Sequence, residues 1–169
     1  MKELRELGIR HLVMLTGDNR GTAEAIAKEV GIDEIRAELL PADKVEVIES
    51  LVREYSQVAM VGDGINDAPA MGRATLPIAM GSAGSDTAIE AADVALMSDD
   101  LAKVPWLIRH SRRTLAIIRQ NIGLSLGVKA IFVALTFLGH ASLWAAIAAD
   151  MGVSLIVISN ALKLLRERS

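Results

Sequence analysis

Short apolar runs alternate with helical patterns through the first hundred residues. Runs of strand length occur at 12–15 (LVML), 35–39 (IRAEL, the weakest), 58–61 (VAMV), 76–80 (LPIAM) and 93–97 (DVALM). Between them, 21–30 places Ala23, Ile26, Ala27 and Val30 on one helical face, and 42–54 does the same with Val45, Ile48, Leu51 and Val52. The alternation predicts βαβ units, an α/β fold with a Rossmann-like parallel sheet. Polar chemistry in such folds gathers at the carboxyl ends of the strands.

The pattern changes near residue 100. Over 101–120 a stripe of Leu101, Val104, Ile108, Leu115 and Ile118 faces away from arginines, as in an amphipathic stalk helix with Trp106 as a core or interfacial anchor. Residues 121–138 and 141–162 are then almost wholly apolar, each long enough for roughly 27–33 Å of helix. Only Gly139 and His140 separate them, so they form an antiparallel hairpin of two transmembrane helices. Arg109, Arg112, Arg113 and Arg119 precede the hairpin, and Lys163, Arg166 and Arg168 follow it. By the positive-inside rule both ends of the chain, including the tail 163–169, face the cytoplasm and the His140 turn faces out. The localisation expected is a multi-pass protein of a bacterial inner or plasma membrane, with the lipid bilayer as one partner.

Composition agrees. Apolar residues make up 51% of the 169, and mean hydropathy is +0.36, high for a water-soluble globule. A net charge of −3, with the basic residues clustered beside the apolar region, gives no nucleic-acid footprint. Cysteine is absent, so there is no disulfide framework and no thiolate metal site. The start, MKELREL, lacks the apolar core of a signal peptide.

Three polar motifs sit among the strands and helices. TGDN (16–19) follows a strand; the hydroxyl of Thr16 and the N–H of Gly17, with Asp18 beside them, suit phosphate oxygens at a strand–helix junction, though an ordinary polar turn fits equally. LLPADK (39–44) opens a helix with Lys44 in its first turn, where a cation opposes the macrodipole; a surface lysine is the alternative. GDGIND (62–67) puts Asp63 and Asp67 in a glycine-rich turn after a strand. Paired carboxylates are the hard oxygen ligands that Mg²⁺ prefers, but acidic turns are common. SAGSDTA (82–88) reads as a helix-capping loop beneath the sheet.

In this order the motifs resemble those of the P-type ATPases, whose phosphorylation domain is haloacid-dehalogenase-like. MLTGDN, LLPADK and VAMVGDGINDAPAM look like successive family motifs, and IAMGSAGSDTAIEAADVALMSDDL (78–101) like their continuation. The resemblance implies that 1–100 is the C-terminal part of a cytoplasmic phosphorylation domain. Thr16 and Gly17 would contact the phosphoryl group, Lys44 would neutralise it, and Asp63 would ligate Mg²⁺, with Asn66 and Asp67 ordering that site. It further implies ATP as co-substrate, bound mainly by an upstream domain. The family's nucleophile lies in a D-K-T-G-T string and its dephosphorylation loop in T-G-E; neither occurs here. The remainder of the pump is therefore an expected partner.

Within the hairpin, Lys129 lies ten residues before Gly139 and Asp150 ten residues after His140, so both sit about 16 Å deep, near mid-bilayer. Each charge alone costs about 2.5–3.5 kcal/mol there. A structural salt bridge is one reading. The other makes Asp150 a ligand for a divalent cation, Lys129 its counter-charge, and Gly152 a point of close packing or backbone access. Asn121, Lys129 and Asp150-x-Gly152 resemble the last two helices of the zinc/cadmium/lead-exporting subgroup, which implies Zn²⁺, Cd²⁺ or Pb²⁺ as cargo. Met151 points about 100° away and reads as packing; His140 either assists ion release or is a plain loop residue.

Two functions follow. One is a segment of an export pump working through an aspartyl-phosphate. The other is a non-enzymatic, membrane-anchored fragment that associates with an intact pump or a missing half.

Overall fold

In a computed structural model, the structure describes all residues except 63–65, 82–89, 91, 99, 141 and 167–169. The chain divides into two units, Met1–Trp106 and Leu107–Ser169.

The first unit opens with a short helix α1 (Lys2–Glu6), then β1 (Val13–Leu15), α2 (Arg20–Val30), β2 (Glu34–Arg36), α3 (Pro41–Tyr55), β3 (Ala59–Gly62), α4 (Ala68–Met71), β4 (Leu76–Met80) and β5 (Val94–Leu96). All strand pairs are parallel: β1 with β2, and β3–β4–β5 in that order. The expected parallel sheet is thus present as two pieces, of two and three strands.

Local chemistry sets each helix. Asn19 caps α2, its Oδ1 accepting the Thr22 N–H at 3.0 Å, and Gly31 at φ 77° ends it with a left-handed turn. Ala23 and Ala27 are fully covered, small enough to let the helix lie close to its neighbours. Pro41 starts α3, where the Asp43 carboxylate accepts the Leu40 N–H at 2.9 Å. On α3 the apolar stripe buries Ile48 and Leu51 with Met60, Ala70, Met71 and Ala79, and Val13 and Leu15 of β1 pack against the same cluster. Covering each large side chain contributes about 1.5–3 kcal/mol.

Three elements differ from expectation, the first being α1, for which the sequence pattern gave no helix. β2 stops at Arg36 rather than running to 39, because Glu38 adopts φ 59° and turns the chain out of the sheet. The N–H of Glu38 then donates to Asp18 O and that of Leu39 to Thr16 O, at 2.9 and 3.1 Å. α4 was not foreseen: it follows Asp67, carries Pro69, and buries Ala70 and Met71.

The final two helices are α5 (Lys103–Phe137), which begins in the first unit, and α6 (Leu143–Ala161), followed by a 3₁₀ stretch Leu162–Arg166. α5 is a single 35-residue helix, so the change from amphipathic to apolar near residue 120 involves no backbone break. Gly139 at φ 74° closes α5, its N–H donating to Thr136 O, and the turn is longer than two residues because α6 begins only at Leu143. Both helices are long and apolar enough to cross a membrane. The capping loop expected at 82–88 lies outside the described residues.

Candidate functional site

The carboxyl ends of β1 and β3 carry the polar motifs. Thr16 follows β1, and its Oγ1 donates to Asp18 Oδ2 at 3.0 Å while accepting the Asp18 N–H at 3.1 Å. The turn is therefore closed by its own side chains, and a bound oxyanion would compete with Asp18 for the hydroxyl. Gly17 is the point of close approach to the second motif: a Cβ there would stand 3.3 Å from Leu39 O. The TGDN turn and the LLPADK segment are thus fastened by backbone bonds and by a close approach that a side chain at 17 would tighten.

Lys44 completes the link to the third motif. Its Nζ donates to Asp67 Oδ1 at 2.6 Å, and the two side chains are only 14% and 17% exposed. The pairing offsets the cost of an ammonium in the first turn of α3. Asp67 stands at the N-cap of α4, yet its carboxylate makes no capping bond and turns to Lys44 instead. Gly62, the last residue of β3, makes room for it. A Cβ at Gly62 would lie 3.0 Å from Asp67 Oδ2, 3.1 Å from its Cβ and 3.1 Å from Met71 Sδ.

One edge therefore gathers a hydroxyl, an ammonium and a carboxylate, a set suited to an oxyanion together with a divalent cation. Asn66 is exposed in the turn beside Asp67. Asp63 lies outside the described residues. Among the described residues no three His, Cys, Asp or Glu side chains cluster as a metal site. With Oδ1 of Asp67 held by Lys44, that carboxylate offers at most its second oxygen. This suits Mg²⁺ in kind, since that ion keeps several waters and takes one or two carboxylates beside phosphate oxygens.

In the second unit Lys129 and Asp150 line one cleft of about 350 Å³ between the helices, with Phe132 and Ala146. Among the described residues no ion pair within 4.0 Å joins them. Asn121 is not in that cleft; it lines a separate groove, where Asn160 Nδ2 donates to its Oδ1 at 2.9 Å. Among the described residues nothing lies within 4 Å of where a Cβ at Gly152 would stand. His140 is exposed in the turn and its N–H donates to Leu135 O. Sequence reasoning passed over Gly62 and Asn160. The one signal for Asn160 was that it is a carboxamide within a largely apolar span.

Comparison with known proteins decides the lineage. A family model described as haloacid dehalogenase-like hydrolase matches residues 1–75. A probable cadmium-transporting ATPase of Listeria monocytogenes is 55% identical over 98% of this chain and 23% of its own length. The cadmium, zinc and cobalt-transporting ATPase of Bacillus subtilis is 47% identical over 97% of the chain and 24% of its own. The crystal structure of a zinc-transporting PIB-type ATPase in an E2.Pi state superposes with a TM-score of 0.86 at 49% identity, over 98% of this chain and 27% of that one. The chain belongs with the heavy-metal P-type ATPases. It spans about a quarter of the length of these relatives. The likeness runs through both units of the heavy-metal ATPase segment, the strand-bearing one and the helical hairpin.

Proposed function

We propose that this chain is the segment of a heavy-metal export ATPase that completes the phosphorylation site and supplies two membrane helices of the ion path. The reading is carried by the Lys44–Asp67 contact, which joins two motifs distant in sequence at the carboxyl edge of parallel strands. Lys44 neutralises a phosphoryl group that Thr16 and the Gly17 N–H position, while Asp67 holds the Lys44 ammonium in place. Asp63 and the second oxygen of Asp67 would hold Mg²⁺, which supplies charge neutralisation at the phosphoryl oxygens. The nucleophilic aspartate comes from a D-K-T-G-T segment of the same pump. The open edges of β1 and β3, which share a core cluster without pairing among the described residues, would accept another parallel strand whose carboxyl end reaches this site.

In the hairpin, Asp150 takes the exported divalent ion and Lys129 replaces it after release. The cargo is Zn²⁺ or Cd²⁺ by the names of the relatives, with Pb²⁺ in the same class. The strand-bearing unit and both termini face the cytoplasm, the side that the flanking arginines favour.

The test is the reading frame upstream of residue 1 and the protein it encodes. An in-frame D-K-T-G-T, with Zn²⁺-dependent, acid-stable labelling from γ-labelled ATP, is expected. A frame without that string, or a full product that takes no label, returns the chain to a non-enzymatic role.

A further inference from the structure

Among the described residues of the two apolar segments, every side-chain hydrogen bond between the helices converges on Asn160. Its Nδ2 donates to Asn121 Oδ1 at 2.9 Å and, more weakly, to Gln120 Oε1 at 3.4 Å. Its Oδ1 accepts from Lys163 Nζ at 3.0 Å. The orientation of the amide is dictated by chemistry: an ammonium only donates, so the Asn160 oxygen faces Lys163 and its nitrogen faces α5, which fixes the oxygen of Asn121 as the acceptor.

Half-buried residues recur at spacings of three and four along both helices: Asn121, Ser125, Val128 and Phe132 on α5; Ala149, Val153, Val157 and Asn160 on α6. This is the spacing of an interhelical seam, and the two asparagines occupy one layer near its end. Apolar seams in lipid are weakly directional, since sliding by one turn, about 5–6 Å, exchanges one aliphatic contact for another. A single amide pair breaks that degeneracy, because any shifted register leaves carboxamides without partners.

We propose that Asn121, Asn160 and Lys163 form a polar clasp that fixes the axial register of the hairpin. Asn121 and Asn160 are positioning residues, and the clasp holds Lys129 and Asp150 within two residues, about 3 Å, of one level across their common cleft. The bearing on ion transport rests on the proposed function; the register itself does not.

Because the chain has no cysteine, paired cysteines report register cleanly. Val128 is seven residues after Asn121 and Val153 seven before Asn160, so the clasp puts them at one level, whereas Val157 belongs to a register shifted by a turn. The full chain in lipid nanodiscs, carrying Val128→Cys with either Val153→Cys or Val157→Cys, is oxidised with iodine and the intramolecular disulfide followed by mass. The 128/153 pair is expected to close faster, and Asn160→Leu or Asn121→Leu to shrink that preference by roughly three- to fifteenfold, the range of one interhelical hydrogen bond. Both together should lose no more than either alone. Ser125→Ala, at a half-buried polar position outside the clasp, should leave the preference unchanged. An unchanged preference in either leucine variant overturns the proposal. If a leucine variant loses helix content by circular dichroism, Asn160→Ser takes its place, and an unchanged ratio there overturns it equally.

Discussion

Lys44 and Asp67 meet as a 2.6 Å charge-assisted hydrogen bond, although 23 residues and an entire helix–strand unit separate them in sequence. The acid that precedes α4 gives up its capping role to hold a cation at the start of α3. Each side chain is in an unfavourable place alone, one against a helix dipole and the other in a turn crowded by Gly62 and Met71. Together they form a neutral pair that fixes the Lys44 ammonium at the start of α3.

Removing the cation should therefore loosen the edge. Lys44→Met keeps the stem but leaves the Asp67 carboxylate unpaired, at an expected local cost of about 1–3 kcal/mol, below the loss for a fully buried pair because solvent still reaches both groups. Hydrogen exchange at the Met60 and Val61 amides of β3 reads this directly. Adding Asp67→Leu should restore protection, since no lone charge remains. In the complete pump the same double variant should not regain phosphorylation, which separates the chemical role from the structural one.

Gly62→Ala tests the close approach. The added methyl would meet two atoms of Asp67 and the Met71 sulfur at 3.0–3.1 Å, so the carboxylate must shift away from Lys44. A cost of about 1–3 kcal/mol is expected from overpacking. The measurement is the Lys44–Asp67 coupling from a double-mutant cycle in the alanine background. A coupling equal to that with glycine would mean that Gly62 does not place the carboxylate.

Periodicity gave the elements because β-strand and helix repeats differ and because turn chemistry, Asn19 and Gly31 among it, punctuates them. It failed at β2, where hydrophobicity at Leu39 and Leu40 serves a crossing loop instead of a strand, a choice made by the positive φ of Glu38. It missed α4, whose four residues are too few to show a period. The motifs marked Thr16, Lys44 and Asp67 separately. That the last two touch is a tertiary fact, set by how α3 packs on β3, and no local pattern encodes it. In the hairpin, counting residues from the turn put Lys129 and Asp150 level, and both line one cleft. Counting gave no hint of Asn160, because a lone carboxamide carries no partner's address.

The absence of a D-K-T-G-T string from the chain has a direct consequence. The 169-residue chain should take no acid-stable label from γ-labelled ATP, with or without Zn²⁺, because the roles proposed for Lys44, Thr16 and Asp67 are to position phosphate and not to form a bond to it. In the complete pump, Asp63→Asn should abolish labelling while Zn²⁺ still binds in the membrane. Loss of both in a folded protein would contradict separate sites.

The matched membrane charges give the sharpest test. Lys129 and Asp150 share a cleft without an ion pair within 4.0 Å among the described residues, a geometry that leaves the carboxylate free to take a cation. If Asp150 binds the exported ion, Asp150→Ala removes the ligand and leaves Lys129 unpaired in hydrocarbon, so both stoichiometric Zn²⁺ binding and metal-dependent turnover should vanish. Lys129→Ala keeps the carboxylate but supplies no cation to displace the ion. Binding should survive while turnover slows, by about tenfold if one counter-charge interaction of some 1.4 kcal/mol drives release. A structural salt bridge predicts the opposite pattern: each single variant destabilised, and the double variant largely rescued because no lone charge remains. Zn²⁺ binding and ATPase rates of the three variants in the complete pump discriminate the two, and a double variant that transports like the parent would remove Asp150 from the ion path.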